Sequence, residues 1–150
     1  MEPADVVRAV AAGVSRLIAG NLTEVQKQAQ LDELAGLYAE HTDVRHPFAP
    51  LGDVPLRTRA ELRQHFAEAP IGAAERFEAV GEVHATADPE VVVFEFRYVG
   101  SAGGKQFAVP CIFVTRVRDG VIVESRDYGD HIGLARVFGR LDALAGALTR

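Results

Sequence analysis

The clearest pattern in the chain is a pair of β-rich runs on either side of Asp119-Gly120. The apolar residues of these runs are Phe113, Val114, Val117, Val121, Ile122 and Val123. Aspartate followed by glycine tolerates the positive φ angles of a tight turn, so the segment 105–131 is predicted to be a β-hairpin.

A two-residue turn at Asp119 and Gly120 also predicts the register of this hairpin, with Arg118 opposite Val121. Side chains alternate between the two faces of a strand. One face is then expected to pair Ile112 with Asp127, Val114 with Ser125, and Pro110 with Gly129. The other face is expected to pair Val117 with Ile122, Thr115 with Glu124, Phe113 with Arg126, and Cys111 with Tyr128. This register places the carboxylate of Asp127 on a mostly apolar face, which makes it the leading candidate for chemistry.

Two helices are predicted before the first strand. Apolar residues recur at helical spacing from Pro3 until Gly20, where the pattern breaks. Thr23 and Gln26 have the spacing of a capping box, and the apolar stripe that follows predicts a second helix ending near Glu40.

The rest of the chain predicts strands between two helices. Thr58 and Glu61 have capping-box spacing and open a short helix. Residues 77–87 and 91–99 predict two strands ahead of the hairpin, and residues 134–144 predict one amphipathic C-terminal helix. Helices followed by consecutive antiparallel strands indicate an α+β fold, in which helices pack on one face of a curved sheet.

Composition narrows the class of protein. A length of 150 residues, 48% of them hydrophobic and 25% charged, predicts a single globular domain over residues 1–150. A net charge of -5 without a Lys/Arg cluster argues against binding to nucleic acid or an anionic membrane. No apolar run has membrane-spanning length and the N-terminus lacks the features of a secretory signal, so a cytoplasmic location is expected. The excess of arginine over lysine is typical of a GC-rich bacterial genome.

The lone cysteine, Cys111, excludes an internal disulfide. No HxxxH or HExxH spacing is present, so neither a metal site nor a cofactor is expected. The predicted register places Cys111 on the face opposite Asp127, where it would serve as a small hydrophobic residue.

Four stretches in this order resemble a known family: LAGLYAEHTDVRHPF, RTRAELRQHF, EVHATADPEVVVFEFRYVG and VPCIFVTRVRDGVIVESRDYGD. Together they resemble the SnoaL-like, ketosteroid-isomerase-like group of the nuclear transport factor 2-like superfamily. The resemblance implies a cone-shaped, cystatin-like α+β roll, in which a strongly curved antiparallel sheet wraps around the N-terminal helices. It also implies a ligand pocket at one end of the cone and a homodimer formed by the outer face of the sheet.

The residues of steroid isomerases are not retained. The resemblance aligns His46 with the general-base aspartate of those enzymes, and it aligns Gly13 and Ile112 with their two oxyanion-stabilising residues. Neither Gly13 nor Ile112 carries a hydrogen-bond donor in its side chain. Steroid isomerisation by the mechanism of that branch is therefore not expected.

The end of the hairpin, RDYGD, resembles a motif of limonene-epoxide hydrolases, whose water-activating carboxylate corresponds to Asp127. The Arg and Asp that assist it in that branch correspond to Phe94 and Phe96, which cannot ionise. Epoxide opening by that mechanism is therefore not expected.

Asp127 and His46 are the predicted catalytic residues. The resemblance directs both into one pocket, where His46 could activate a water or abstract a carbon-bound proton while Asp127 orients the imidazole. The pocket wall is expected to contain Val92, Phe94, Phe96, Ile112, Phe48, Tyr38 and Gly129. In the alternative interpretation, Asp127 is a surface residue paired with Arg126 and His46 bonds to a backbone carbonyl.

Two functions follow. The first is cofactor-independent acid–base catalysis by a cyclase, isomerase, dehydratase or hydrolase acting on a small apolar metabolite such as a polyketide or terpenoid. The second is a non-catalytic ligand-binding or dimerisation module.

A homodimer is predicted because the expected outer face carries an apolar stripe. That stripe consists of Phe113, Val117, Ile122 and Tyr128. Three other histidines, His41, His65 and His84, are expected at the surface.

Overall fold

The structure is a computed structural model that describes residues 1–150. Its five helices are α1 (Pro3–Ala19), α2 (Glu24–Ala35), α3 (Arg59–Ala67), α4 (His131–Val137) and α5 (Leu141–Leu148). Its six strands are β1 (Tyr38–Arg45), β2 (Leu56–Thr58), β3 (Arg76–Ala85), β4 (Val91–Ala102), β5 (Lys105–Arg118) and β6 (Val121–Gly129). None of the helices has both the length and the apolar character needed to cross a membrane.

The strands form one sheet in the order β2-β1-β6-β5-β4-β3. All neighbouring pairs are antiparallel except β1 and β6, which run parallel. The α+β fold predicted from the sequence is confirmed. The parallel pair positions the site, because Arg45 at the end of β1 pairs with Arg126 in β6. The residues that follow each of them in the chain are His46 and Asp127.

Helix α1 lies against the concave face of the sheet and forms the centre of the core. Its apolar stripe is buried, with Val6, Leu17 and other members of the stripe almost fully inaccessible to solvent. At Gly13 the helix passes close to α2, since a Cβ atom there would lie 2.6 Å from Leu34 Cδ2. A larger side chain at this position would push the two helices apart, so Gly13 has a packing role.

Two predicted element boundaries are wrong. The second helix ends at Ala35 instead of Glu40, and Tyr38 already pairs with Ile122 as the first residue of β1. The single predicted C-terminal helix is two short helices, because Gly139 takes a φ of 68° between them. Left-handed backbone of this kind ends a helix and favours glycine.

The predicted hairpin turn is confirmed, but the register beyond it is not. Asp119 and Gly120 both have positive φ, and Arg118 pairs with Val121. The pairing then skips Val123, which forms a β-bulge because Val117 pairs with Ile122 while Arg116 pairs with Glu124.

The bulge shifts every later pair by one residue. Asp127 lies opposite Phe113, and Ile112 lies opposite Tyr128. The predicted pairing of Ile112 with Asp127 is therefore wrong, and so is the predicted face of β5. Phe113 is buried on the concave side, whereas Ile112 is on the outer face with 37% of its surface exposed.

Candidate active site

A cavity of about 650 Å³ lies between α1, the concave face of the sheet and the C-terminal helices. Of its 28 lining residues, 19 are hydrophobic, so it suits a small and largely apolar ligand. The larger aliphatic and phenylalanine side chains of the wall are Val10, Val14, Ile18, Val44, Leu51, Leu62, Phe66, Phe77, Phe113, Leu134, Phe138 and Leu144.

Asp127 is the buried carboxyl group of this cavity. With the bulge at Val123, Asp127 lies on the concave face, where only 15% of its side chain is exposed. Its Oδ1 accepts a hydrogen bond of 2.6 Å from Ser125 Oγ, and its Oδ2 lies 3.6 Å from His46 Nε2. Burial raises the pKa of Asp127 to about 7, although the Ser125 hydrogen bond and the charge of Arg126 oppose that shift.

Arg126 does not pair with the Asp127 carboxylate. Its guanidinium donates to Asp43 instead, at 2.9 Å both to Oδ2 and to the backbone carbonyl. The interpretation of Asp127 as a surface residue neutralised by Arg126 is therefore wrong. The carboxyl group faces the cavity without a cation bonded to it.

His46 lies beside Asp127 at the end of β1. Its backbone N–H donates to Asp53 Oδ1 at 2.8 Å, which anchors the loop that contains Pro47. Burial, together with the neighbouring His65 and His131, lowers the pKa of His46 to about 4. At neutral pH the two groups are therefore not an ion pair, because burial favours the uncharged form of each.

The cavity also contains His65 and His131, which the sequence analysis did not place there. Their rings lie 5.0 Å and 6.5 Å from that of His46, measured between centroids. Burial lowers the pKa of both, and His131 Nε2 is buried without a hydrogen-bond partner. His65 is exposed, so the prediction that it lies at the surface is confirmed, but its ring also borders the cavity. Its position three residues after the buried Leu62 was the available signal for this contact with the cavity, whereas nothing in the local sequence indicated His131.

Tyr38 and Tyr98 add two phenol groups to the wall. Both tyrosines are buried, and burial raises the pKa of each well above its ordinary value. They therefore remain protonated and are able to donate a hydrogen bond to a ligand oxygen. Tyr98 continues the alternation of Phe94 and Phe96 along β4, which was the signal for its inward direction.

Cys111 also lines the cavity, on the same side of the sheet as Asp127. The prediction that the two residues lie on opposite faces is wrong for the same reason as the register. Burial raises the pKa of the thiol to about 12, so it is not a nucleophile at neutral pH. No group of three or more His, Cys, Asp or Glu side chains is arranged to hold a metal ion.

Two of the predicted wall residues, Tyr38 and Gly129, line the cavity. Val92, Phe94 and Phe96 do not. They are buried beneath it, in the core of the sheet against α1. Phe94 instead borders a separate cavity of about 340 Å³ on another face of α1.

The other two predicted wall residues lie outside the cavity. Ile112 is turned to the outer face by the register shift. Phe48 is 68% exposed, and its ring packs against that of Tyr128 at 5.2 Å between centroids. Both residues belong to the outer surface.

Comparisons with known proteins agree with this fold. The model of the SnoaL-like domain matches residues 20–125. Among curated proteins, none matches the sequence significantly. A solved structure of a candidate isomerase from Bacillus subtilis is 22% identical with a TM-score of 0.70, covering 92% of this chain and 94% of that one.

Two further solved structures are similar. A Catenulispora acidiphila protein with a ketosteroid isomerase-like fold, in complex with trimethylamine, is 20% identical with a TM-score of 0.63, covering 90% of this chain and 92% of that one. A candidate polyketide cyclase from Pseudomonas putida is 13% identical with a TM-score of 0.64, covering 92% and 98% of the two chains. At these identities the likeness to solved structures establishes the fold, and the match to the SnoaL-like domain confirms the resemblance found in the sequence.

Proposed function

Because the chain belongs to the SnoaL-like domain family, we propose that it is a cofactor-independent acid–base enzyme acting on a small, largely apolar molecule. Asp127 is the proton-transferring group. One observation carries this proposal: a carboxyl group with a pKa of about 7 presents its Oδ2 to an apolar cavity of about 650 Å³. A group of this pKa is close to half ionised at neutral pH, which suits it both to take and to return a proton.

The proposed reaction begins with a carbonyl compound whose acidic C–H bond reaches Oδ2 of Asp127. The carboxylate takes the proton, and the electron pair of that bond moves towards the carbonyl oxygen to give an enolate. In a β,γ-unsaturated substrate the enolate is conjugated with the C=C bond, and protonated Asp127 returns the proton to the γ carbon, which isomerises the substrate. In a substrate with a second carbonyl, the enolate carbon attacks that carbonyl and closes a ring, and protonated Asp127 returns its proton to the alkoxide that forms. The apolar wall favours these steps because it excludes water from the reacting groups.

His46 has a different role from the one predicted from the sequence. An imidazole with a pKa of about 4 is a weak base, so His46 is not the group that removes the proton. As a neutral imidazole protonated on Nε2, it is able to donate a hydrogen bond to the developing oxyanion. The phenols of Tyr38 and Tyr98 are further donors on the same wall.

Deuterium exchange tests the proposal without knowledge of the natural substrate. A panel of apolar two-ring and three-ring ketones is incubated with the protein in deuterium oxide, and uptake at the acidic carbon is followed by mass spectrometry. We expect the native protein to accelerate exchange in at least one ketone. Asp127→Asn should abolish that acceleration, because the amide cannot accept a proton.

The matched control is Glu40→Gln, which removes one exposed carboxylate from β1 and should leave exchange unchanged. Full exchange by Asp127→Asn would refute the role of Asp127. Tight binding of ketones without any exchange would instead support the non-catalytic ligand-binding module.

We also propose that the chain forms a homodimer through the outer face of the sheet. The predicted apolar stripe on the outer face is wrong for three of its four residues, since Phe113, Val117 and Ile122 are buried on the concave side. A different apolar patch is present, in which exposed Ile112 lies next to Tyr128 and Phe48 packs on that tyrosine. Sedimentation velocity at micromolar concentration should show a dimer that Ile112→Asp dissociates. A monomeric native protein would refute this proposal.

A further inference from the structure

Beneath the carboxyl group of Asp127 lies a chain of two buried hydroxyl groups. Thr115 in β5 and Ser125 in β6 are direct cross-strand partners, and their side chains are 1% and 2% exposed. Thr115 Oγ1 lies 2.9 Å from Ser125 Oγ, which in turn lies 2.6 Å from Asp127 Oδ1. Ser125 and Asp127 share the concave face because they are two residues apart in one strand.

The direction of the hydrogen bonds in this chain follows from the partners present. Thr115 has no side-chain hydrogen-bond partner other than Ser125. If Thr115 donates to Ser125 and Ser125 donates to Asp127, both hydroxyl hydrogens are used. The opposite direction would leave the buried hydroxyl hydrogen of Thr115 without an acceptor, which is unfavourable. The hydrogen bonds therefore run from Thr115 to Ser125 and from Ser125 to Asp127, whose Oδ1 accepts the last of them.

We propose that Ser125, supported by Thr115, is a positioning residue that holds Oδ1 of Asp127 and leaves Oδ2 as the proton-transferring oxygen. Its importance for turnover depends on the proposed function, whereas its effect on the carboxyl group does not. The two oxygens of Asp127 thereby acquire different roles. Oδ1 is occupied by a buried hydroxyl, and Oδ2 faces His46 and the cavity.

Two charged side chains, Glu68 and Arg140, line the same cavity as Asp127 but do not bond to it. Six other titratable groups also line the cavity, and burial favours the neutral form of each. These groups are Tyr38, His46, His65, Tyr98, Cys111 and His131. None of them forms a hydrogen bond to the carboxyl group. Arg126, on the same strand, acts on it only through space, since its guanidinium bonds to Asp43. Ser125 is therefore the single side chain that stabilises the carboxylate by donating to it.

The test is a direct titration of the Asp127 carboxyl carbon by ¹³C NMR, with Asp127→Asn used to assign the signal. Ser125→Ala should raise the titration midpoint by about one pH unit or more, because a hydrogen bond to a charged group is lost. Ser125→Thr retains the hydroxyl and should keep the native midpoint. Thr115→Val should raise the midpoint by a smaller amount, since Ser125 can still donate.

The matched control is Ser15→Ala on α1, whose hydroxyl donates to a backbone carbonyl of the same helix and should not affect Asp127. If Ser125→Ala does not fold, Ser125→Cys replaces it, and the weak thiol donor should give an upward shift. Wherever exchange is measurable, the pH profile of kcat should move with the NMR midpoint.

An unchanged midpoint in Ser125→Ala or Ser125→Cys would overturn the proposal, and so would a midpoint in Ser125→Thr raised as far as in Ser125→Ala. Failure of the proposed function has a different signature. In that case the NMR midpoint shifts as expected, yet the native protein exchanges no ketone.

Discussion

Replacing Asp127 with asparagine should stabilise the folded protein at high pH but much less at low pH. The carboxyl group has a pKa of about 7 in the fold, compared with an ordinary value of 3.8. Below about pH 4 it is protonated in both states and does not affect stability. Between about pH 4 and pH 7 the folded state binds more protons, so the free energy of unfolding falls as pH rises.

The size of this effect follows from the difference between the two pKa values. Three pH units at about 1.4 kcal/mol each give a loss of about 4 kcal/mol above pH 7, when the carboxyl group is ionised in both states. The asparagine variant avoids this loss. An imperfectly bonded amide offsets part of the gain by about 1–3 kcal/mol, but that offset does not vary with pH. The gain in unfolding free energy from Asp127→Asn should therefore increase by about 3 kcal/mol between pH 4.5 and pH 8.

Urea denaturation of both proteins at pH 4.5, 6 and 8 measures this difference. Comparison with the variant is necessary because His46 acts in the opposite direction: its lowered pKa makes the fold more stable as pH rises from about 4 to 6.5. The control is Glu40→Gln, which removes one exposed negative charge. If the two proteins instead differ in unfolding free energy by the same amount from pH 4.5 to pH 8, that result refutes the assignment of Asp127 as a buried carboxyl group with a raised pKa.

Two further predictions concern His46 and Cys111. His46→Gln should slow proton exchange, but the pH profile of the exchange rate should keep its midpoint near 7, because that midpoint belongs to Asp127. Exchange rates measured across pH test this. Loss of the midpoint in the variant would show that His46 is the base. Cys111 should resist a thiol reagent such as DTNB at pH 8 in the native protein and react once it is unfolded. With a pKa of about 12, only about one thiol in ten thousand is ionised at that pH, and rapid native labelling would contradict its burial.

Local sequence signals predicted the elements that depend on local chemistry. The Thr23 side chain caps α2 by accepting from the backbone N–H of Gln26, and the Thr58 side chain caps α3 in the same way. The tight turn at Asp119-Gly120 also formed as predicted. These features need only neighbouring residues, so a short stretch of sequence is enough to specify them.

The burial of Asp127 was predicted correctly, but from a hairpin register that lacked the bulge. A regular hairpin places Asp127 on the face opposite Phe113, whereas the bulge at Val123 places both on the concave face. The alternation of β5 carried part of this information, because Phe107, Val109, Phe113 and Val117 occupy odd positions, although Ile112 and Val114 at even positions weaken the pattern. Val123 itself gave no signal, since valine is equally suited to a regular strand.

The sequence by itself determined the class of fold, the hairpin turn and the identity of the acidic residue in the site. Only the tertiary structure decided what surrounds that residue. His46, His65 and His131 come from a strand end, a helix and a terminal helix that are far apart in the chain, and they meet because β1 pairs in parallel with β6 while α3 and α4 close over the cavity. Long-range pairing and a single bulged residue fixed these neighbours, and neither leaves a periodic pattern in the sequence.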